Sequence, residues 1–299
     1  MELKYEIIND NYYNIKDVLK SYFEISDRLL TKLKKSNKIF LNGKTQFIDH
    51  LVTKHDIITV NLDFNEDDNK NILPIKMNLD ILFEDDGLLI LNKKPGIAIH
   101  PSILHFDDTL SNGVKYYFNN KNLKKKIRPV NRLDKDTSGI VIFAKNEYIQ
   151  ESLIRQMKNN QFKKEYLAIL TGHLKKLSGT INAPISRKEN SIIEREINST
   201  GEVAITHFEL QNNFVYKKQN LCLVKFVLET GRTHQIRLHS KHILHPILGD
   251  SLYGLSSELI TRQALHAYRI NFIHPITKKQ IIIETNLPED MNKIIEKLE

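Results

Sequence analysis

Arg128-Pro-Val-Asn-Arg-Leu-Asp-Lys-Asp-Thr-Ser-Gly-Ile-Val-Ile-Phe-Ala-Lys145 is the stretch from which the rest of the chain is read. A loop dense in charge and hydrogen-bonding side chains gives way at Gly139 to the apolar run Ile140 to Ala144, which predicts a buried strand. The loop is thereby tied to a core and holds the carboxylate of Asp134 at the rim of a sheet. Arg132, two residues earlier, falls on the same side of an extended chain. An arginine that close keeps an aspartate ionised. A lone Arg or Asp in a loop usually serves a turn or a surface ion pair, so the meaning of this pair depends on its surroundings.

Working outward, Leu79 to Gly96 holds two apolar runs about Asp85-Asp86-Gly87, a hairpin signal in which the paired acids have a structural explanation. Thr109 to Asn119 predicts a short helix. Between it and the central loop lies a basic run with Lys121, Lys124, Lys125, Lys126 and Arg128. After the central strand, Asn146 caps a helix in which Ile149, Leu153 and Met157 repeat every fourth residue, with Met157 as core filler. Lys163 to Leu170, Glu202 to Leu210 and Leu221 to Thr230 read as strands. In the last, Cys222, Val224, Phe226 and Leu228 share one face, opposite Lys225 and Glu229, a pattern of antiparallel pairing. Leu177 to Ile197 is turn-rich, Ile281 to Thr285 predicts a last strand and Met291 to Leu298 a terminal helix.

Upstream, Val18, Leu19, Tyr22 and Phe23 recur at helical spacing, as do Leu29, Leu30 and Leu33, with Ser26 placed to cap the second helix. Asn42-Gly43 then predicts a tight hairpin, and Asp56 to Val60 a short strand. Phe64 to Asn71 is polar and without periodicity, the best linker in the chain. The division expected is 1–63, a linker 64–76 able to hinge, and 77–299.

The 299 residues suffice for a large domain and a small one, and an apolar share of 40% supports real cores. The single cysteine, Cys222, makes no internal disulfide and offers no thiolate cluster, which fits a reducing cytoplasm. Neither a secretory leader nor a membrane span is read in the sequence. The net charge of +8 suits a polyanionic partner. Its excess lies almost wholly beyond residue 70, since the first 70 residues carry 11 basic against 12 acidic side chains. Even so, no acid interrupts Arg28 to Phe47, where Arg28, Lys32, Lys34, Lys35, Lys38 and Lys44 occur.

The central loop resembles the Arg-Leu-Asp-x-x-Thr-Ser-Gly signature of the RluA/RluD family of RNA pseudouridine synthases. Further pieces resemble the same family: Lys93-Lys-Pro-Gly96, His100-Pro101, the Lys-x-Tyr-x-Ala pattern at Lys164, Thr230-Gly-Arg-Thr-His-Gln-Ile-Arg237, and His245-Pro-Ile-Leu-Gly-Asp-Ser-Leu-Tyr-Gly254. The order helix, helix, Ile39-Phe-Leu-Asn-Gly43, Lys54-His-Asp-Ile-Ile-Thr-Val60 looks like an S4 RNA-binding module. The family's histidine before the arginine is Asn131 here. Asparagine hydrogen-bonds but does not titrate near neutrality, so a loop-holding role is expected of it.

The resemblance implies an α+β protein: a mixed, largely antiparallel catalytic sheet flanked by helices, plus a small α+β S4-like domain. It implies that Asp134 is the catalytic carboxylate, with Arg237 pairing it. Tyr166 and Leu238 would sandwich the target uracil, the tyrosine hydroxyl relaying a proton, and Arg132 would fill the vacated stack. RNA would be met by Arg28, Lys32, Lys35, Lys125 and Arg128. The expected partner is RNA, ribosomal first and transfer RNA second, acted on by a cytoplasmic monomer with no cofactor, metal or membrane. Asp134 would attack ribose C1′ or take a C2′ proton to give a glycal, both routes standing open. Two other classes are weighed. A non-catalytic RNA-binding protein would release no tritium from uracil C5. A hydrolase built on His234, His239, His242 and His245 would carry metal, yet these lack the His-Glu-x-x-His spacing.

Overall fold

The computed structural model describes residues 1–9, 11–66, 71–102 and 105–296. Its amino-terminal sheet has β1 (Glu2–Glu6), β2 (Ile39–Leu41), β3 (Lys44–Thr45) and β4 (Ile57–Asn61), antiparallel throughout in the order β1-β4-β2-β3. Two helical pieces cover it. The turn α1 (Ile15–Asp17) runs into a π-helical turn (Val18–Tyr22), and α2 (Asp27–Lys35) follows. The Ser26 hydroxyl caps α2 by accepting from Leu29 N at 3.2 Å, as its sequence position predicts. Asn42 and Gly43 close the β2–β3 hairpin with φ of 50° and 79°, the left-handed pair such a two-residue turn requires. The strand β1 was not expected; it is short and lies at the edge of the sheet.

The large sheet has nine strands: β5 (Ile81–Glu84), β6 (Leu88–Lys93), β7 (Ser138–Ala144), β8 (Lys163–Thr171), β9 (Ser178–Asn182), β12 (Ile205–Tyr216), β13 (Gln219–Leu228), β14 (Leu265–Ile273) and β15 (Gln280–Glu284). The strands β10 (Ile185–Arg187) and β11 (Arg195–Ile197) pair separately as a small hairpin. The order is β5-β6-β7-β14-β8-β13-β12-β9, with β15 on β14. All neighbours are antiparallel except β7 and β14. Helices α3 (Leu110–Asn120), α4 (Glu147–Lys158), α5 (Gln235–His242) and α6 (Glu289–Ile295) flank it. The fold is thus α+β with a mixed, mostly antiparallel sheet. No helix among the described residues is long and apolar enough to cross a membrane.

Strand β7, the apolar run after Gly139, is buried on both faces. Ile140, Ile142 and Ala144 point to one side, where Ile149 and Leu153 of α4 meet them; Val141 and Phe143 point to the other, against Leu110, Val114 and Phe118 of α3. The period of two explains the division. Gly139 opens the strand at φ +113°, and a Cβ there would lie 2.2 Å from the Ala267 carbonyl oxygen. Glycine is required because β14 passes directly against its backbone.

The segment read as a hinged linker behaves differently at its described ends; residues 67–70 fall outside the described part. Phe64 packs on the core that the amino-terminal sheet shares with Leu88, Ile90, Ile140 and Ile142. Glu66 is buried, takes both Arg128 Nη atoms at 2.7 and 2.8 Å, and accepts from Lys32 Nζ at 2.5 Å. On the far side, Asn112 donates to Leu73 O at 2.9 Å. The amino-terminal part is docked through a continuous apolar core and ion pairs, including Arg155 to Glu24 at 2.7 Å. The polar side chain of Glu66 is accommodated by folding inward between two cations. Met157 packs against the core as expected, though only partly buried, and also lines a surface cleft.

Burial alone would push the Glu66 carboxyl up, but hydrogen bonds from Arg128 and Lys32 outweigh it and hold the group below its usual range. A depressed folded value means that this carboxylate stabilises the protein above its unfolded pKa of about 4.3, and that the contribution is lost as pH falls through the folded value. Glu66→Ala leaves the Arg128 guanidinium buried without its counter-ion and is expected to cost about 3 kcal/mol at neutral pH. In denaturant melts followed across pH, the gap between variant and wild type should close toward acid; a gap that stays constant would refute the ion pair's role.

Candidate active site

The loop bearing Asp134 is held from several sides. The Asn131 side chain, buried before the loop turns out, donates to Ile140 O and accepts from Ile142 N, both at 2.9 Å, so its amide staples the loop to β7. Such a job needs a donor and an acceptor and no titrating proton. Thr137 N closes the turn on Asp134 O at 3.1 Å. From β14, His266 Nδ1 meets Ser138 Oγ at 2.9 Å; Arg262, just ahead of that strand, donates to Asp136 O at 3.1 Å while paired with Asp290 at 2.7 Å. Lys93, at the end of β6, is 1% exposed and donates to the carbonyls of Lys94, Ile97 and Lys135 at 3.0, 2.8 and 2.7 Å. Burial pulls its ammonium down to about 7, with Asp136 pulling the other way.

The Asp134 carboxylate is reached by Arg237 of α5, whose Nη1 lies 3.2 Å from Oδ2. The same guanidinium is gripped by Asp250, Nε to Oδ2 and Nη2 to Oδ1 both at 2.7 Å. Asp250 is 1% exposed and also accepts from the backbone of Leu252 and Tyr253. Burial would lower the arginine's pKa; the two carboxylates outweigh it and raise it. His234, at the head of α5 in the left-handed region with φ 59°, puts Nε2 3.8 Å from Asp134 Oδ2 and Nδ1 2.8 Å from the Tyr253 hydroxyl. Burial lowers its pKa and the Asp134 charge opposes the shift, leaving a neutral imidazole near neutrality.

Tyr166, on β8, is buried, and its phenol is pushed well above the ordinary value by burial first and the charge of Asp134 second. It stays protonated. Asp134, Tyr166 and Arg237 line one recess of about 60 Å³, with Leu228, Ile236 and Leu265 as its apolar walls. Asp134 and Tyr166 also line an adjoining cleft of about 380 Å³ with Arg132, Lys164 and Arg232. Arg132 is exposed at this cleft. The chain thus brings residues 132, 134, 166 and 237 together from three distant segments.

Leu238 does not join them. Each residue of a helix turns about 100° from the last, and with Arg237 aimed at Asp134 the next side chain lands among Ile185, Ala204 and Tyr253. Leu228 and Leu265, not Leu238, line the recess beside Asp134. Asp250 and His234 were not assigned to the site by sequence reading. The available signal was Asp250 itself, an acid between Gly249 and a turn near a motif arginine. Of the remaining histidines, His239 spans Thr206 and Ala183, and His245 meets Thr171 O. Among the described residues no group of three or more His, Cys, Asp or Glu is placed to hold a metal ion.

The cations offered to RNA divide. Arg128 is buried on Glu66 and Lys32 shares that carboxylate, so neither is free to meet a phosphate as placed. Lys125 pairs with Asp63 at 3.5 Å. Arg28 contacts Glu147 at 2.9 Å from a largely exposed side chain, and Lys35 lies on the surface.

A model of the RNA pseudouridylate synthase family matches residues 87–242. The chain is 39% identical over 277 residues to a Bacillus subtilis (strain 168) protein described as uncharacterized RNA pseudouridine synthase YhcT, across 93% of this chain and 90% of that one. It is 34% identical over 293 residues to ribosomal large subunit pseudouridine synthase D of Buchnera aphidicola subsp. Schizaphis graminum, across 92% and 90%. Among solved structures, human RNA pseudouridylate synthase domain containing 1 is similar with TM-score 0.59 and 25% identity, over 74% of this chain and 94% of that one. The small antiparallel amino-terminal sheet is consistent with an S4-like domain. An arginine-clamped aspartate beside a buried tyrosine, on a sheet of this order and with relatives of this extent, identifies the chain as a member of the RluA family of RNA pseudouridine synthases, isomerases that act on RNA.

Proposed function

We propose that this enzyme converts uridines of large-subunit ribosomal RNA to pseudouridine, with Asp134 as the catalytic group acting on a flipped-out nucleotide. The observation that carries the reading is the convergence of Asp134, Tyr166 and Arg237 on one recess. The reaction breaks the bond from ribose C1′ to uracil N1 and makes one from C1′ to C5; the C5 proton leaves and N1 ends protonated, with no change of oxidation state. Attack on C1′ and removal of a C2′ proton both use a carboxylate oxygen, and Arg237 orients this one by donating to Oδ2 at 3.2 Å. Neither C1′ nor C5 of a stacked uridine is open to such a group, so the nucleotide must leave the stack at a cost of roughly a few kcal/mol. Arg132, exposed beside the loop, suits the vacated place. The uracil would lie on the Tyr166 ring with Leu228 and Leu265 about it.

The ribosomal target is supported by the relatives named ribosomal large subunit pseudouridine synthase D, at 34% identity in two cases. Transfer RNA is the second reading. The chain would divide into an S4-like RNA-binding module, 1–63, a connection, 64–76, and a catalytic domain, 77–299, working as a monomer in the cytoplasm, where such RNA resides. In the module, Arg28 and Lys35 keep exposure suited to phosphates.

Comparing pseudouridine maps of ribosomal and transfer RNA from cells with and without the gene should show sites missing from the large-subunit RNA; losses confined to transfer RNA would overturn the ribosomal assignment. Asp134→Asn should bind RNA with unchanged affinity and release tritium from uracil C5 at under roughly 1% of the wild-type rate. Turnover above a few per cent of wild type would remove Asp134 from its role. Tyr166→Phe keeps the ring and deletes the hydroxyl. A kcat lowered about 100-fold at constant KM is expected if that oxygen moves a proton, whereas wild-type kcat would leave stacking as its sole contribution.

A further inference from the structure

We propose that His234 reads the sugar of the target nucleotide, its Nε2–H donating to the ribose 2′-hydroxyl while that hydroxyl donates to Asp134. The inference rests on the placing of the target uridine at Asp134 and adds a sugar contact to the same site.

Which ring nitrogen of His234 carries the hydrogen follows from the partners of Tyr253. The Tyr253 side chain is buried; its hydroxyl accepts from the Arg195 backbone N–H at 2.8 Å and lies 2.8 Å from His234 Nδ1. Nδ1 is the one acceptor this hydroxyl has among the described residues, and a buried hydroxyl hydrogen without an acceptor is costly. Tyr253 therefore donates to Nδ1 and leaves the hydrogen of the neutral ring on Nε2. Burial lowers the pKa of the imidazole, which keeps the lone pair on Nδ1. The orientation is fixed as well, since the two rings meet edge to face with centroids 5.5 Å apart and planes at 69°.

Nε2 makes no hydrogen bond among the described residues. It faces Asp134 Oδ2 at 3.8 Å, and both side chains line the recess. Atoms at that separation are too far apart to bond each other, yet one oxygen fits within hydrogen-bonding reach of both. The gap thus presents a donor on one side and an acceptor on the other. A phosphate oxygen or a uracil carbonyl only accepts, and uracil N3–H only donates. A hydroxyl does both, and in an internal nucleotide, whose 3′ oxygen is esterified, the 2′-hydroxyl is the sole one. It is bonded to C2′ and one carbon removed from C1′, the two atoms at which Asp134 acts in either route. Arg237 already donates to Oδ2 at 3.2 Å, and a carboxylate oxygen has room for a second donor. The same hydroxyl is what distinguishes RNA from DNA at a given position.

The test uses the full chain and an RNA fragment spanning a uridine assigned by the pseudouridine maps, with ribose or 2′-deoxyribose at that one position and tritium at its uracil C5. The sugar itself alters reactivity at C1′, but this effect is common to all variants. It divides out when each variant's ratio of kcat/KM for ribose over deoxyribose is compared with that of wild type. In His234→Phe the ratio should fall about tenfold, the ribose fragment losing turnover while the deoxy fragment is handled as by wild type. His234→Gln places an amide N–H at about the reach of Nε2 and should recover part of the ratio. Tyr253→Phe lets the imidazole hydrogen move to Nδ1 and should lower the ratio by a smaller factor.

An unchanged ratio in His234→Phe, with both fragments slowed alike, would make the histidine a structural support and overturn the sugar contact while leaving Asp134 in its role. If that variant does not fold, as its melting curve would show, an unchanged ratio in Tyr253→Phe overturns the contact instead. Wild-type protein that releases no tritium from the ribose fragment or from whole ribosomal RNA would retire the catalytic reading of Asp134 itself.

Discussion

The Arg237 guanidinium lies between two carboxylates, and the site depends on how unequally it treats them. Asp250 takes two parallel hydrogen bonds at 2.7 Å in a buried setting, fixing the plane of the group. Of the N–H groups left over, one on Nη1 donates to Asp134 at 3.2 Å. A charge taken out of water is tolerable only when it is paired and its donors are used, and here the buried pair has a by-product: a cation aimed at a second, partly exposed acid. That second carboxylate is thus reached without being locked away, its side chain remaining 27% exposed.

For such an arrangement to act, the acid must not drift. The loop carrying Asp134 is built as a rigid ledge, with its backbone oxygens held by Lys93 and Arg262 and its entry stapled by Asn131. Gly139 lets β14 approach the ledge closely enough for Ser138 and His266 to meet. Preorganised charge of this kind avoids reorganisation at the moment of reaction.

The same economy of charge governs how the amino-terminal sheet meets the rest. Its apolar residues run into those of β6 and β7 without a break, and Glu66 closes the seam by satisfying Arg128 and Lys32 together. Cations that look like an RNA-binding run in sequence are thereby used to join the two parts.

Periodicity and turn chemistry carried most of the fold. The buried run after Gly139, the hairpins at Asn42-Gly43 and Asp85-Asp86-Gly87, and the caps Ser26 and Asn146 are local effects, and local effects are written in neighbouring residues. The parts expected of Asp134, Tyr166 and Arg237 came from the family's motifs, whose residue types and spacing recur in this chain. Their convergence was a matter for the sheet, which sets β8 beside β14 and α5 over the rim. The partners of each charge were also beyond local reading. Arg128 and Glu66 are 62 positions apart, and Arg237 finds Asp134 across 103. Which face Leu238 shows depends on the seating of its helix. An amino-acid sequence states which groups can pair, while only the packed chain, by closing those distances and excluding water, decides which do.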